Sequence, residues 1–285
     1  FCPPRHRRYD ADMRRSLRAA LSAAAATAVA GCGTMTASTP GGVVVDTRYA
    51  SANQDSRVLF VVLHYTVASL PLSLQILTAR PHEVSAHYLV SDEQPPVVYR
   101  LVPEERRAWH SGPSHWRGHA MLNASSIGIE IVHPGFRTLP DGTREYLPFP
   151  QAQIDALIPL VKDIVQRHGI RPERILGHSD VLPQFKEDPG PTFPWKRLAD
   201  EGLIPWPDAQ RVAAQRALYE QQLPDIAWFQ QMLTRHGFEP LAGGVLDGPT
   251  RRTIAALQMR YRPAKYDGTP DAETAAILHV LVTPP

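Results

Sequence analysis

Cysteine is nearly absent from this chain. Two residues in 285 are too few for a disulfide framework or an all-cysteine metal site. Neither sign of charge dominates: 30 Lys and Arg stand against 28 Asp and Glu, a formal net charge of +2. That balance argues against a nucleic-acid-binding protein. The apolar stretch Ala19–Ala30 is 12 residues long, too short to cross a ~30 Å hydrocarbon core as a helix. What is present is enough to build a core. Hydrophobic residues make up 43% and charged residues 20%, which excludes global disorder. The length allows one large domain or two modest ones. Proline, at 28 residues, is nearly twice its usual ~5%.

The first residues read as an export signal. Arg14, Arg15 and Arg18 follow Met13 and precede the small apolar run Ala19–Ala30, after which comes Val29-Ala30-Gly31-Cys32. A basic start, a short apolar stretch and small residues before a cysteine resemble a bacterial lipobox, where cleavage precedes the cysteine and its thiol is lipidated. Residues 1–31 are then removed, with 1–12 lying upstream of the true start. Cys32 becomes the lipid anchor, and 32–55, rich in Gly, Ser, Thr and Ala, becomes a flexible tether. Gly33 after the cysteine favours the outer membrane over the inner one. Residues 1–31 carry six arginines against two aspartates, so their loss leaves 24 basic and 26 acidic residues, a net charge of −2. The expected address is the periplasmic face of the outer membrane of a Gram-negative bacterium, on lipid chains and without a spanning helix.

Hydropathy then outlines an α/β arrangement with a mixed sheet over 56–206. Val58–Leu63 is an unbroken apolar run, as in a strand buried on both faces. Shorter strands are expected at His87–Val90, Val97–Leu101, Ile127–Val132 and Ile175–Leu176. Ser69 is placed to cap a helix over Pro71–Thr78. Ile154, Leu157, Ile158, Val161 and Val165 recur at helical spacing over Gln151–His168, with Pro159 expected to kink the helix and Gly169 to end it. Another helix starts near Phe193-Pro-Trp. Residues 207–222 read as a helical connector and 223–285 as a small all-α domain of three helices. An echo runs through that domain: Asp247-Gly-Pro-Thr250 and Asp267-Gly…Thr274 each precede an Ala/Leu-rich helix.

Three features carry chemistry. His64 ends the apolar strand, where a sheet rim exposes an imidazole. His178 follows Ile175-Leu176-Gly177, and Asp188 sits in the turn Asp188-Pro-Gly-Pro191. Two imidazoles and one carboxylate suit Zn²⁺ and leave a fourth position for water, the pattern of a catalytic site. Their linear spacing is no recognised local motif. Taken alone, His64 is better explained as a strand-end histidine bonded to a loop. Glu130, in Ser126-Ile-Gly-Ile-Glu130, is a carboxylate among apolar strand residues, costly unless paired or functional. A strand-edge glutamate paired with an arginine is the alternative.

Together these residues resemble a known family. His64-Tyr-Thr, Ser85-Ala-His-Tyr-Leu89, Trp109-His-Ser-Gly112, Asn123-x-x-Ser126-Ile-Gly-Ile-Glu130 and Gly177-His-Ser-Asp180…Lys186-x-Asp188-Pro-Gly-Pro look like the zinc N-acetylmuramoyl-L-alanine amidases of the amidase-2 group, relatives of the peptidoglycan recognition proteins. The likeness runs from about Arg57 to Trp195. It implies a zinc ion on His64, His178 and Asp188, an acid/base role for Glu130, and Lys186 beside the reacting carbonyl. Trp109, His110 and Asn123 become candidates for substrate contact. Ser111 departs from the alanine common in the family, and Asp188 stands where some relatives have cysteine. Residues 223–285 resemble the three-helix peptidoglycan-binding module that accompanies such enzymes. The lipobox favours the exported AmiD-type branch over the cytoplasmic AmpD type. The implied partner is peptidoglycan or its muropeptides, acted on by a monomer. Two other readings compete: a binding-only relative without metal, which the complete ligand set opposes, and a zinc peptidase cutting within the stem peptide.

Overall fold

A computed structural model describes residues 36–283. The expected export segment 1–31, the lipidation site Cys32 and the first residues of the tether lie outside the described residues. The described residues fall into two units, divided between Gln54 and Asp55. In the first, strands β1 (Thr36–Ser38) and β2 (Val44–Asp46) pair antiparallel. Thr39 closes this hairpin, its Oγ1 accepting from Val43 N at 3.1 Å. The span expected to be a featureless tether therefore carries a short hairpin, although its apolar residues Val43, Val44 and Val45 remain exposed.

The second unit is built on a five-stranded sheet. In chain order the elements are β3 (Phe60–Tyr65), α1 (Leu70–Thr78), β4 (Tyr88–Val90), β5 (Val98–Arg100), the ribbon β6–β7 (His115–Trp116, His119–Ala120), β8 (Ser126–Ile131), the hairpin β9–β10 (Phe136–Thr138, Arg144–Tyr146), α2 (Gln151–His168), β11 (Ile175–Gly177), α3 (His178–Val181) and α4 (Trp195–Asp200). The sheet order is β11-β3-β8-β4-β5. β11, β3, β8 and β4 run parallel and β5 is antiparallel at one edge. The expected mixed sheet is observed.

Sheet alternation explains what lies on each face. Val61, Leu63, Ile127, Ile129, Ile131 and Ile175 face one side, packing with Ile154, Leu157 and Val161 of α2 and Leu198 of α4. α2 spans the residues its periodicity predicts and continues through Pro159; Gly169, at φ 64°, ends it. Ser69 precedes α1 as expected, but its side chain makes no capping bond. β3 begins and ends two residues later than the apolar run suggests, because pairing with β8 extends through His64 and Tyr65, polar-tipped residues that a hydropathy run does not count.

Glu104, beyond β5, ties α2 to the sheet. It accepts from Tyr88 Oη at 2.6 Å and Arg167 Nη2 at 2.9 Å, and His168 Nε2 lies 2.8 Å away. Arg167 above all holds its carboxyl down to about 2, against ~4.3 in an unfolded chain. A depressed carboxylate stabilises the fold above its unfolded value and loses that contribution as pH falls through its folded value. Acid scans of Tm should therefore drop between pH ~5 and ~2, and Glu104→Gln should flatten that drop while lowering Tm at neutrality.

The chain continues into α5 (Ala209–Gln221), α6 (Ile226–His236), α7 (Gly248–Tyr261) and α8 (Ala272–Val282). Asp208, Asp225, Asp247 and Asp271 cap them, each side chain accepting from the backbone N three residues on. The sequence echo has a physical basis here. Gln230 of α6 accepts from Gly244 N at 2.9 Å and donates to Thr250 Oγ1 at 2.9 Å. Gln258 of α7 does the same to Gly268 N and Thr274 Oγ1, both at 2.9 Å. Each helix thus clamps the turn that starts the next.

This helical module is not a separate body. Phe60, Val62, Leu176, Val181 and Leu182, on the other side of the sheet from α2, share one core with Phe229, Leu233, Ile254, Leu257 and Leu278. The module closes the second face of the five-stranded sheet.

Candidate active site

His64, Glu130 and His178 gather at the carboxyl ends of three adjacent parallel strands, where open α/β sheets place ligands. His64 is the fifth of six residues in β3, and its register partner on β8 is Glu130. His178 follows β11 directly. Alternation puts His64 and Glu130 on the Phe60–Val62 side of the sheet. Asp188 is brought in by the loop after α3, its carbonyl accepting from Ser179 N at 2.9 Å. Gly177 is needed for that approach: a Cβ there would sit 2.7 Å from Pro189 Cδ.

The three ligand atoms form a nearly equilateral triangle. His64 Nδ1 lies 3.0 Å from His178 Nδ1 and 3.1 Å from Asp188 Oδ2, and His178 Nδ1 lies 3.2 Å from Asp188 Oδ2. Ligands at ~2.0–2.1 Å from a tetrahedral zinc would be ~3.3 Å apart. Among the described residues this is the only such group of His, Cys, Asp and Glu. All three residues are buried. Burial and the neighbouring His178 lower the His64 imidazole to about 4. Burial alone would raise Asp188, but His178 and His64 hold it well below the carboxylate range. Neutral imidazole and ionised carboxylate are the forms a metal takes.

Hydrogen bonding fixes which nitrogen of His64 is bare. Ser126 spends its one proton on Leu122 O at 2.6 Å. It must therefore accept from His110 Nε2, 3.1 Å away. His110 Nδ1 is then an acceptor, 3.0 Å from His64 Nε2, and His64 Nδ1 is left free for a metal. Relays of this kind orient metal-bound histidines. His110 lies flat over Gly128, where a Cβ would come within 2.4 Å of its ring. We expect His110→Ala to weaken zinc binding about 10–100-fold, read by competition with a chromophoric chelator; unchanged affinity would remove His110 from this role.

Glu130 lies on the central strand of the sheet, not at an edge. Its Oε2 is buried with no hydrogen-bond partner, and no ion pair involves it among the described residues. The edge-pairing alternative thus has no counterpart. Burial, with Asp188 adding negative charge and Lys186 opposing, raises its carboxyl to about 8. Lys186 and Glu130 line the same cavity of about 270 Å³, with His178, Asp188, Trp109 and Val67.

The residues expected to touch substrate divide. Trp109 is half exposed in the cavity. His110 lines it but is engaged with His64 and Ser126. Asn123 does not line it: its Oδ1 accepts from His110 N at 3.0 Å, Ser111 N at 2.8 Å and Ser111 Oγ at 2.9 Å, shaping the Trp109–Gly112 turn. Sequence reasoning missed Ser126 and Gly128, although Ser126-x-Gly128-x-Glu130 is a legible one-face alternation. It also missed the role of Asp180, which accepts from Gly177 N at 2.7 Å and from Arg260 Nη1 of α7 at 2.5 Å.

Residues 54–191 match the N-acetylmuramoyl-L-alanine amidase family, and 222–278 match a putative peptidoglycan-binding domain. The chain is 42% identical over 247 residues to N-acetylmuramoyl-L-alanine amidase AmiD of Escherichia coli K12, covering 85% of this chain and 88% of that protein. The chain belongs to the N-acetylmuramoyl-L-alanine amidase family. Its fold is similar to that of E. coli AmiD in complex with anhydro-N-acetylmuramic acid-L-Ala-D-γ-Glu-L-Lys, with a TM-score of 0.77 at 40% identity over 88% of this chain and 98% of that one. It is also similar to AmpDH3 from Pseudomonas aeruginosa, with a TM-score of 0.75 at 36% identity over 83% and 95% of the two chains. The amidase match ends just past the Asp188 loop, and the peptidoglycan-binding match begins near α6, so both halves of the shared core have counterparts in known families.

Proposed function

We propose that this amidase cleaves the bond between the lactyl group of N-acetylmuramic acid and L-alanine with one zinc ion on His64, His178 and Asp188, Glu130 as acid/base and Lys186 as the oxyanion donor. The observation that carries this is a triangle of candidate ligand atoms beside a carboxyl whose buried Oε2 has no partner. Zinc in such a site supplies Lewis acidity, acidifying water and polarising a carbonyl. The protein's own groups do the rest. Glu130 takes a proton from the attacking water as its oxygen bonds to the lactyl carbon, and returns a proton to the alanine nitrogen as the C–N bond breaks. Burial favours the protonated form of this carboxyl and the neighbouring cation Lys186 the ionised form, so the group can serve in both directions. Lys186 offers its ammonium to the carbonyl oxygen as negative charge develops there.

The export signal and lipid anchor on Cys32 belong to the same proposal, supported by the basic start, the apolar stretch and Val-Ala-Gly-Cys32. They place a monomeric enzyme on the periplasmic face of the outer membrane, where its polymeric substrate lies. Digestion of purified sacculi, read by mass spectrometry, tests the reaction: intact peptides beginning with L-alanine and free lactyl sugars are expected, lost on treatment with a strong chelator and restored by Zn²⁺. Peptides cut between amino acids would instead indicate the peptidase, and full activity without metal would remove the zinc mechanism.

A further inference from the structure

A second cavity, of about 350 Å³, adjoins the catalytic one. Lys186 lines both, and Gln184, Phe185, Glu187, Arg144 and Arg252 are among the other residues of its wall. Arg252 belongs to α7, so the helical module supplies part of the wall. The loop is fastened to that helix. Gln184 Oε1 accepts from Arg252 Nε at 2.9 Å, and Gln184 Nε2 donates to Thr253 Oγ1 at 3.2 Å and Pro249 O at 3.3 Å. Directly after this anchor, Phe185 is 79% exposed, and no ring contact involves it among the described residues. A large aromatic ring held in water by an anchored loop beside an active site marks a contact surface.

We infer that this groove is a subsite for the glycan strand beyond the muramic acid being cleaved, with Phe185 as stacking platform and the terminal nitrogens of Arg252 as hydrogen-bond donors to hydroxyl and acetamido groups. The inference rests on the amidase reading. The occupant follows from the exposed ring. Glu187 is spent on Arg144 through an ion pair at 2.5 Å and also accepts from Tyr146 Oη at 2.7 Å, and Lys186 faces the reacting carbonyl in the proposed reaction, so Arg252 is the one further charge of this wall and the aromatic face of Phe185 is its main feature. An N-acetylated glycan is neutral and polar, with the flat C–H faces that stack on an aromatic ring. The cavity on the Trp109 side is lined by three arginines, Arg80, Arg106 and Arg107, against one acid, Glu83, and suits the anionic peptide better.

Phe185→Ala and Arg252→Met, in the full zinc-loaded protein, test the subsite with two substrates carrying the same tripeptide: one a single muramic acid, the other a glycan chain of several disaccharides. Each variant should lower kcat/KM on the long glycan about tenfold, mainly through KM, and leave the single-sugar substrate within about twofold. Equal losses on both substrates, or none on either, overturn the subsite. So does a loss that follows stem-peptide length at constant glycan length, which would give the groove to the peptide. Wild-type protein that releases peptide from neither substrate would sink the amidase reading itself.

Discussion

Glu130→Gln should lower kcat by about 10²–10⁴-fold while leaving zinc stoichiometry at one. The substitution preserves shape and removes the carboxyl proposed to move protons. KM should change little, because the loss falls on the transition state and not on substrate binding. A stability measurement adds an independent check. Burial lifts Glu130 to about 8 in the folded protein, so between ~4.3 and ~8 the folded state binds a proton that the unfolded state has lost. A raised carboxyl costs stability as pH rises through that window. In metal-free protein, Glu130→Gln should therefore raise Tm at pH 8 relative to pH 5. Normal turnover in the variant would remove Glu130 from the acid/base role, whatever the Tm.

The second large effect lies outside the cavity. Arg260→Ala should destabilise the protein by about 3–5 kcal/mol, lowering Tm by roughly 10 °C. Arg260 and Asp180 form an ion pair with side chains only 5% and 2% exposed. The same guanidinium donates to Ile175 O at 3.0 Å and stacks 4.1 Å from the Trp195 ring centre. Truncation leaves the Asp180 carboxylate buried and uncompensated, the costly case for a buried pair. The double substitution Asp180→Asn with Arg260→Met should recover much of the loss, because no unpaired charge remains. Asp180 lies two residues after His178 and caps the turn that presents it, so zinc affinity should fall in Arg260→Ala as well. A Tm within about 1 °C of wild type would show that the pair contributes nothing to the fold.

These two predictions draw on different kinds of information. The chemistry at Glu130 is legible in sequence because a carboxylate among Ile127, Ile129 and Ile131 is conspicuous on a strand. Its neighbours His64, His178 and Asp188 are residue types with metal affinity at strand ends and turns. The Asp180–Arg260 pair has no such mark. Eighty residues separate the partners, and each looks like an ordinary surface charge until the two faces meet. His110 and Asn123 illustrate a middle case. Their motif singles them out as site residues, but nothing in it distinguishes touching substrate from orienting His64 or shaping a turn. That difference depends on where Ser126 sends its single proton, a matter of distances.

Local rules sufficed for much of this protein. Periodicity marks α2 to its last residue, glycine ends it, aspartates start the module's helices, and alternation along β8 puts Ser126, Gly128 and Glu130 on one face. Each depends on residues within a few positions of one another, so the chain's order already contains them. The relation of the catalytic sheet to the helical module is of another kind. Two amphipathic surfaces, each incomplete alone, are read from sequence as two domains joined by a connector. Packing Phe60, Val62 and Leu176 against Phe229, Ile254 and Leu257 removes both apolar faces from water at once. That burial is non-directional and takes any complementary apolar surface, so no local pattern names its partner. Only the folded chain pairs the two faces, and with them the arginine that holds the turn of His178.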